Sequence, residues 1–238
     1  MTRNRATLTH VPRGTRIFQR MFTRLGCQGR PPHFVVSFYP YAGLAHSIRL
    51  REQTAYVRLS DLLRGAAREV MEATAAILLA RLYRRRAPRE LAHFYREFAH
   101  AHGTRRKVRA LRSKRARRTV TRFNGRHHDL GAIFDSLNCL HFAQSLTRPH
   151  LSWSARPWRT QLGAFDPALK QIAINCVLDR PDVPGYVVAY VLYHEMLHQK
   201  HPIRVARCRL QSHSRQFREE EKRFGDYDRA IDFLKKFS

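Results

Sequence analysis

Hydrophobic and polar positions alternate with two different periods along this chain. Residues 34 to 58 read as short strands. In SIRLREQTAYVRLS (47–60) apolar residues alternate on both sides of a polar REQT turn, which predicts a hairpin. Ser60 then stands as an N-cap before DLLRGAAREVMEATAAILLARLYRRR, where Leu63, Ala66, Ala67, Val70, Ala73, Ala76, Ile77 and Ala80 recur at helical spacing. Pro88 ends or restarts that helix. RELAHFYREFAHAH follows as a second one, with Leu91, Tyr95, Phe98 and Ala99 on one side. Asp129 is a candidate N-cap for an amphipathic helix carrying Leu130, Ile133, Phe134, Leu137, Leu140 and His141. Three strand-like pieces come next, LSWSAR, TQLGAFD and KQIAINCVL, with a DPALK turn between the last two. Pro184 sits near the first turn of the next helix, and Asp182 lies close to its positive end. That helix begins GYVVAYVLY, apolar on nearly all sides, and Pro202 stops it. A strongly charged last helix is predicted from about Ser214 to Lys236.

These elements divide the chain into four parts. Residues 1–32 are a basic N-terminal arm, 33–103 an N-terminal α/β region, 104–128 a basic linker, and 129–238 a second domain. The length of 238 residues suits one large domain or two small ones, and 43% apolar residues supply a core. No apolar run approaches the roughly 20 residues of a membrane span, and the basic start has no secretory apolar segment. A cytoplasmic protein without membrane contact is expected. Cys27, Cys139, Cys176 and Cys208 form no C-x-x-C pair and read as reduced thiols.

Charge changes the picture. Lys plus Arg number 45 against 18 acids, a formal net charge of +27, which predicts attraction to polyanions. The sharpest block is TRRKVRALRSKRARRTVTRFNGR (104–126), which contains no acid. Arg105, Arg106, Lys107, Arg109, Arg112, Lys114, Arg115, Arg117 and Arg118 are its candidate contacts to DNA or RNA; the alternative is a solvated connector.

The chemistry concentrates in YVLYHEMLHQKHP (190–202). His194 and His198 lie four residues apart, about 40° around a helix and one turn along it, so two imidazoles can converge on one ion. Glu195 sits to the side, where it can reach a metal-bound water as general base: the H-E-x-x-H pattern. With 14 His in the chain, roughly 0.03 accidental matches to this pattern are expected. Burying two histidines and a glutamate on an apolar helix is costly without a partner, and a metal supplies one. A catalytic zinc site needs three protein ligands. His201 is on the same face but too far along the helix. His213, across an Arg-rich loop, is the better third ligand, and the run Glu219, Glu220, Glu221 is a further option against a plain solvated face.

YHEMLHQKHP followed by HSRQF resembles the SprT-like zinc metalloproteases, predicted metal-dependent hydrolases with a short zincin domain. There a third His stands in an H-x-x-x-F context, matched here by His213 to Phe217. LGAFDPALKQIAIN is similar to that family's hairpin, and FDSLNCLHF resembles its opening helix. The resemblance covers about residues 129 to 224. It implies an α+β fold with a zincin-like catalytic domain, a small sheet packed on the HExxH helix, one zinc held by His194, His198 and His213, and Glu195 as catalytic base. It departs from some relatives in having no C-terminal zinc ribbon. Animal members, the Spartan proteases, act on proteins crosslinked to DNA.

The expected function is therefore a zinc-dependent endopeptidase. Its substrate backbone would pair with an edge strand of the hairpin at 160–177, and its basic surface would recruit nucleic acid. Two alternatives stay open: a non-catalytic nucleic-acid-binding module with a structural metal, closed by a fourth ligand such as Cys208 or His201, and a hydrolase of a non-peptide substrate.

Overall fold

The computed structural model describes residues 12–115, 125–206 and 209–237, which form two compact units dividing near residue 116. Both are mixed α and β. No helix among the described residues is long and apolar enough to cross a membrane.

The first unit runs α1 (Pro12–Arg24), β1 (His33–Tyr39), β2 (His46–Arg51), β3 (Thr54–Ser60), α2 (Arg68–Leu82), α3 (Arg89–His100) and α4 (His102–Arg115). The predicted hairpin is β2–β3, antiparallel, with β1 parallel to β3 on the other side. Phe34, Val36 and Phe38 of β1 and Ala55, Val57 and Leu59 of β3 point into one core. The expected basic arm is corrected over residues 12–24. Ile17, Phe18, Met21 and Phe22 recur on one side of α1 and are buried in that core, while the arginines stay outside. Ser60 does cap, but only the short 3₁₀ turn Asp61–Leu63, where its hydroxyl accepts the Leu62 N–H. Gly65 then takes φ +73°, a left-handed conformation in which glycine escapes the Cβ penalty, so α2 starts later, at Arg68. Residues 104–115 of the expected linker are helical and form most of α4.

The second unit runs α5 (Leu130–Phe142), β4 (His150–Trp153), β5 (Gly163–Asp166), β6 (Gln171–Ile174), α6 (Gly185–Lys200), β7 (Arg204–Ala206), β8 (Arg209–Gln211), α7 (Arg215–Glu221) and α8 (Tyr227–Phe237). Its entry is pinned. The Asp179 carboxylate accepts the backbone N–H groups of Arg126, His127 and His128 at 2.6, 3.0 and 3.2 Å. Burial raises its pKa, but these three donors and nearby His127 outweigh that and hold it below the usual range. Asp129 caps α5 by accepting from Gly131 and Ala132. The sheet has order β4–β6–β5, with β4 parallel and β5 antiparallel to β6, so β5 is an edge. Leu151, Trp153, Ile172 and Ile174 share a core with Val187, Val188, Leu192 and Met196 of α6. The single last helix expected from Ser214 is instead two, α7 and α8. The chain turns between them at 222–226, where Phe224 is buried and Gly225 follows.

Candidate metal centre

Two segments of the second unit meet at one point. His194 and His198 project from the same face of α6, one turn apart. His213 comes from the residues just before α7, whose start is set by Ser214, the hydroxyl of which accepts the Phe217 N–H at 3.1 Å. His213 Nε2 lies 3.3 Å from His194 Nε2 and 3.2 Å from His198 Nε2. These three side chains form a group that could hold a metal ion, with their ligand atoms all within 4.8 Å of one another. His201 is not in it. It ends α6 and pairs with Glu220 at 3.2 Å.

The H-x-x-x-F spacing has a physical reason. Phe217, fully buried, packs against all three imidazoles, with ring centroids 5.1 Å from His194 and 4.8 Å from both His198 and His213. Burial, and then the neighbouring imidazoles, pushes the His198 pKa down to about 4. Burial and then His194 lower that of His213. Both rings are thus held neutral, the form that offers a lone pair to a metal.

A further feature escaped the sequence reading. Glu221, in the run where a solvated face was expected, is half-buried. Its Oε1 accepts from His194 Nδ1 at 2.6 Å and from the Tyr190 hydroxyl at 2.9 Å. Burial raises its pKa, but the hydrogen bonds from His194 and Tyr190 win and lower it. A proton fixed on Nδ1 leaves the His194 Nε2 lone pair facing the other two rings. His198 lacks such a brace, since its Nδ1 is buried without a partner. Glu220 meets Lys200 at 2.7 Å as well as His201, which fastens α7 to α6. Of the three acids, only Glu219 makes the plain surface pair, with Arg215.

Glu195 is buried, only 5% exposed. Burial pushes its pKa up to about 7, against the opposing pull of His194 and of a hydrogen bond from the Phe165 N–H. That hydrogen bond ties the carboxylate to β5. Leu162 O accepts from Asn175 N, which sets the alternation of the β5–β6 ladder. Gly163 and Phe165 therefore turn their backbone groups to the open edge. Gly163 makes room. A Cβ there would stand 2.7 Å from Glu195 Oε1, 2.8 Å from its Cγ and 3.0 Å from its Cδ. Asn175, fully buried, aligns the loop leading into β5: it donates to the carbonyls of Trp158 and Gln161, both at 3.0 Å, and accepts from Trp158 N and Val177 N.

No protein-family model and no curated protein matches the chain.

Seven of the nine candidate nucleic-acid contacts lie in the first unit. Arg105, Arg106, Lys107, Arg109, Arg112, Lys114 and Arg115 lie on α4, which buries no residue. Arg115 is engaged, with Asp61 at 2.9 Å and with the Tyr41 carbonyl. Arg117 and Arg118 lie outside the described residues, as does Cys208. Cys27, Cys139 and Cys176 are free thiols.

Proposed function

We propose that the second unit is a zinc-dependent metallopeptidase of the SprT-like type, with a zincin-like fold. The convergence of three imidazoles beside a buried glutamate carries this reading. Tetrahedral coordination at the usual zinc–nitrogen length sets ligand nitrogens about 3.3 Å apart, and the Nε2 separations here are 3.2 and 3.3 Å. His194, His198 and His213 would hold the ion. Three ligands, with His201 turned away to Glu220, suit a catalytic site better than a structural one, which is normally closed by four.

A zinc ion bound here supplies an acidified water and polarises the carbonyl under attack. The protein's own groups do the rest. Glu195 Oε atoms accept the proton from the attacking water and pass it to the leaving amine nitrogen. The Phe165 N–H and the gap at Gly163 hold that carboxylate in place. Glu221 fixes the tautomer and orientation of His194. The edge of β5 would present its remaining outward backbone groups, beyond the Phe165 N–H that Glu195 takes, to an extended substrate, which would pair by strand addition. Helix α4 gives the protein a basic surface through which a nucleic-acid-bound substrate would be recruited.

The test begins with metal content by mass spectrometry, on protein purified without added metal, for wild type and His213→Ala. About one zinc per chain, sharply reduced in the variant, is expected for a three-histidine site. Cleavage of an unstructured protein substrate, with and without DNA, then compares wild type with Glu195→Gln. The variant should keep its zinc and lose turnover. Equal activity in the variant would sink the mechanism.

A further inference from the structure

The sheet of the first unit has two unlike faces. Alternation places Phe34, Val36, Val57 and Leu59 on the core side. On the opposite side of β2 and β3 Tyr56 is 47% exposed, and Arg49, Arg51 and Arg58 are exposed as well, while Ser47 and Thr54 are half-buried and Ser37 of β1, opposite Arg58, is buried. The ladder fixes their arrangement. Tyr56 stands opposite Arg49 on β2 and opposite Val35 on β1. Arg58 is two residues further along the same strand, and its guanidinium lies 5.6 Å from the centre of the Tyr39 ring. No strand of this sheet contains an acidic residue. Among the described residues no ion pair involves Arg49, Arg51 or Arg58.

We propose that this open face is a binding platform for single-stranded nucleic acid, a base stacking on Tyr56 and the flanking phosphates meeting Arg49, Arg51 and Arg58. Two arguments select that occupant. An exposed aromatic ring amid cations and free of acids complements a chain that alternates flat π-surfaces with negative charge, which an acidic peptide does not. Geometry selects the single strand. The major groove of a duplex, about 12 Å wide, admits a helix or a two-stranded ribbon. Three strands about 4.8 Å apart, with their side chains, make too broad a platform to enter it. Unstacked bases, in contrast, can be laid on an open sheet and held by its aromatics. This site is distinct from the basic helix α4. It lies wholly within the first unit and does not depend on the metal-centre reading, so the two can fail separately.

The experiment uses the full chain and fluorescence anisotropy at physiological ionic strength. The probes are labelled oligothymidylate, labelled oligouridylate, and a labelled duplex of similar charge. Tyr56→Ala should weaken single-strand binding at least about fivefold, the low end for one stacked base. Tyr56→Phe should restore it, and duplex binding should be the same in all three proteins. Unchanged thermal melting confirms that the exposed substitutions leave the fold intact. Oligothymidylate against oligouridylate separates DNA from RNA, and tighter binding of either supports the platform. Three results would overturn it: wild-type affinity for single strands in Tyr56→Ala, a parallel loss on duplex, or displacement of the oligonucleotide by polyglutamate at matched charge.

Discussion

Substituting Gly163 by alanine tests the catalytic assignment more sharply than removing any ligand. Gly163 does not have positive φ, so alanine can adopt its backbone, and the effect of the methyl is one of contact alone. The added carbon would meet Oε1, Cγ and Cδ of Glu195 at 2.7, 2.8 and 3.0 Å. Carbon contacts are favourable at about 3.5–4.0 Å, so the carboxylate must retreat by roughly 0.8 Å, or β5 must shift. Overpacking of this kind costs about 1–3 kcal/mol of stability. The larger effect falls on chemistry: a 1 Å misplacement in a catalytic constellation costs on the order of 10²-fold in rate. The assay is peptide turnover with zinc content measured on the same samples. Gly163→Ala should lose about 10²-fold in kcat while retaining its metal, because the three atoms nearest the new methyl all belong to Glu195 and none to a ligand histidine. A double-mutant cycle with Glu195→Asp isolates the contact. The shorter side chain removes the clash, so the methyl should cost much less in the Glu195→Asp background than in wild type. Full turnover in Gly163→Ala, or an equal loss in both backgrounds, would refute the placement of Glu195 against β5.

Three further outcomes are expected. Glu221→Ala removes the acceptor for His194 Nδ1 and should weaken zinc binding by about 10- to 100-fold, read by competition with a chelator; unchanged affinity would show that Glu221 does not orient the ligand. Phe217→Ala empties the space beneath three imidazoles and should cost about 3–5 kcal/mol of stability by denaturant unfolding, with zinc affinity falling too. The first unit should also lose stability in acid. His46 accepts the Ser60 N–H at Nδ1 and meets the Tyr95 hydroxyl at Nε2, and burial pushes its pKa down to about 4. A depressed histidine contributes its full stability above the unfolded pKa, about 6.5. It loses that contribution as pH falls toward 4, at most about 3 kcal/mol in all. His46→Gln should flatten that stretch of the stability–pH curve, and a variant with the wild-type slope would assign the acid lability elsewhere.

Much of the second unit was legible from residue spacing. The i,i+4 histidines, the D-P turn, the Asp129 cap and the apolar run into the site helix are local signals, and each governs its own element. What stayed hidden depends on chain segments meeting in space. Glu221 looked like one of three interchangeable surface acids, and only the docking of α7 on α6 decides that one of them braces His194 while another holds Lys200. Gly163 carried no signal at all, since nothing local demands a glycine there; the demand comes from a carboxylate 32 residues later. In the first unit, the arginines of α1 masked its apolar face. Ile17, Phe18, Met21 and Phe22 are spaced for one side of a helix, but high charge suggested an arm. Ser60 misled in the opposite way, because a cap motif serves a 3₁₀ turn as well as a long helix.

The edge of β5 has one more consequence, for solubility. A strand that offers its backbone to a substrate offers it equally to another copy of itself, and open edges seed aggregation. Here the strand is four residues long, and one of its outward N–H donors is already taken by Glu195. A neighbouring copy would find too short a ladder and a carboxylate in its path. The glutamate thus guards the edge at rest, and its loss should leave the protein more prone to self-association at high concentration.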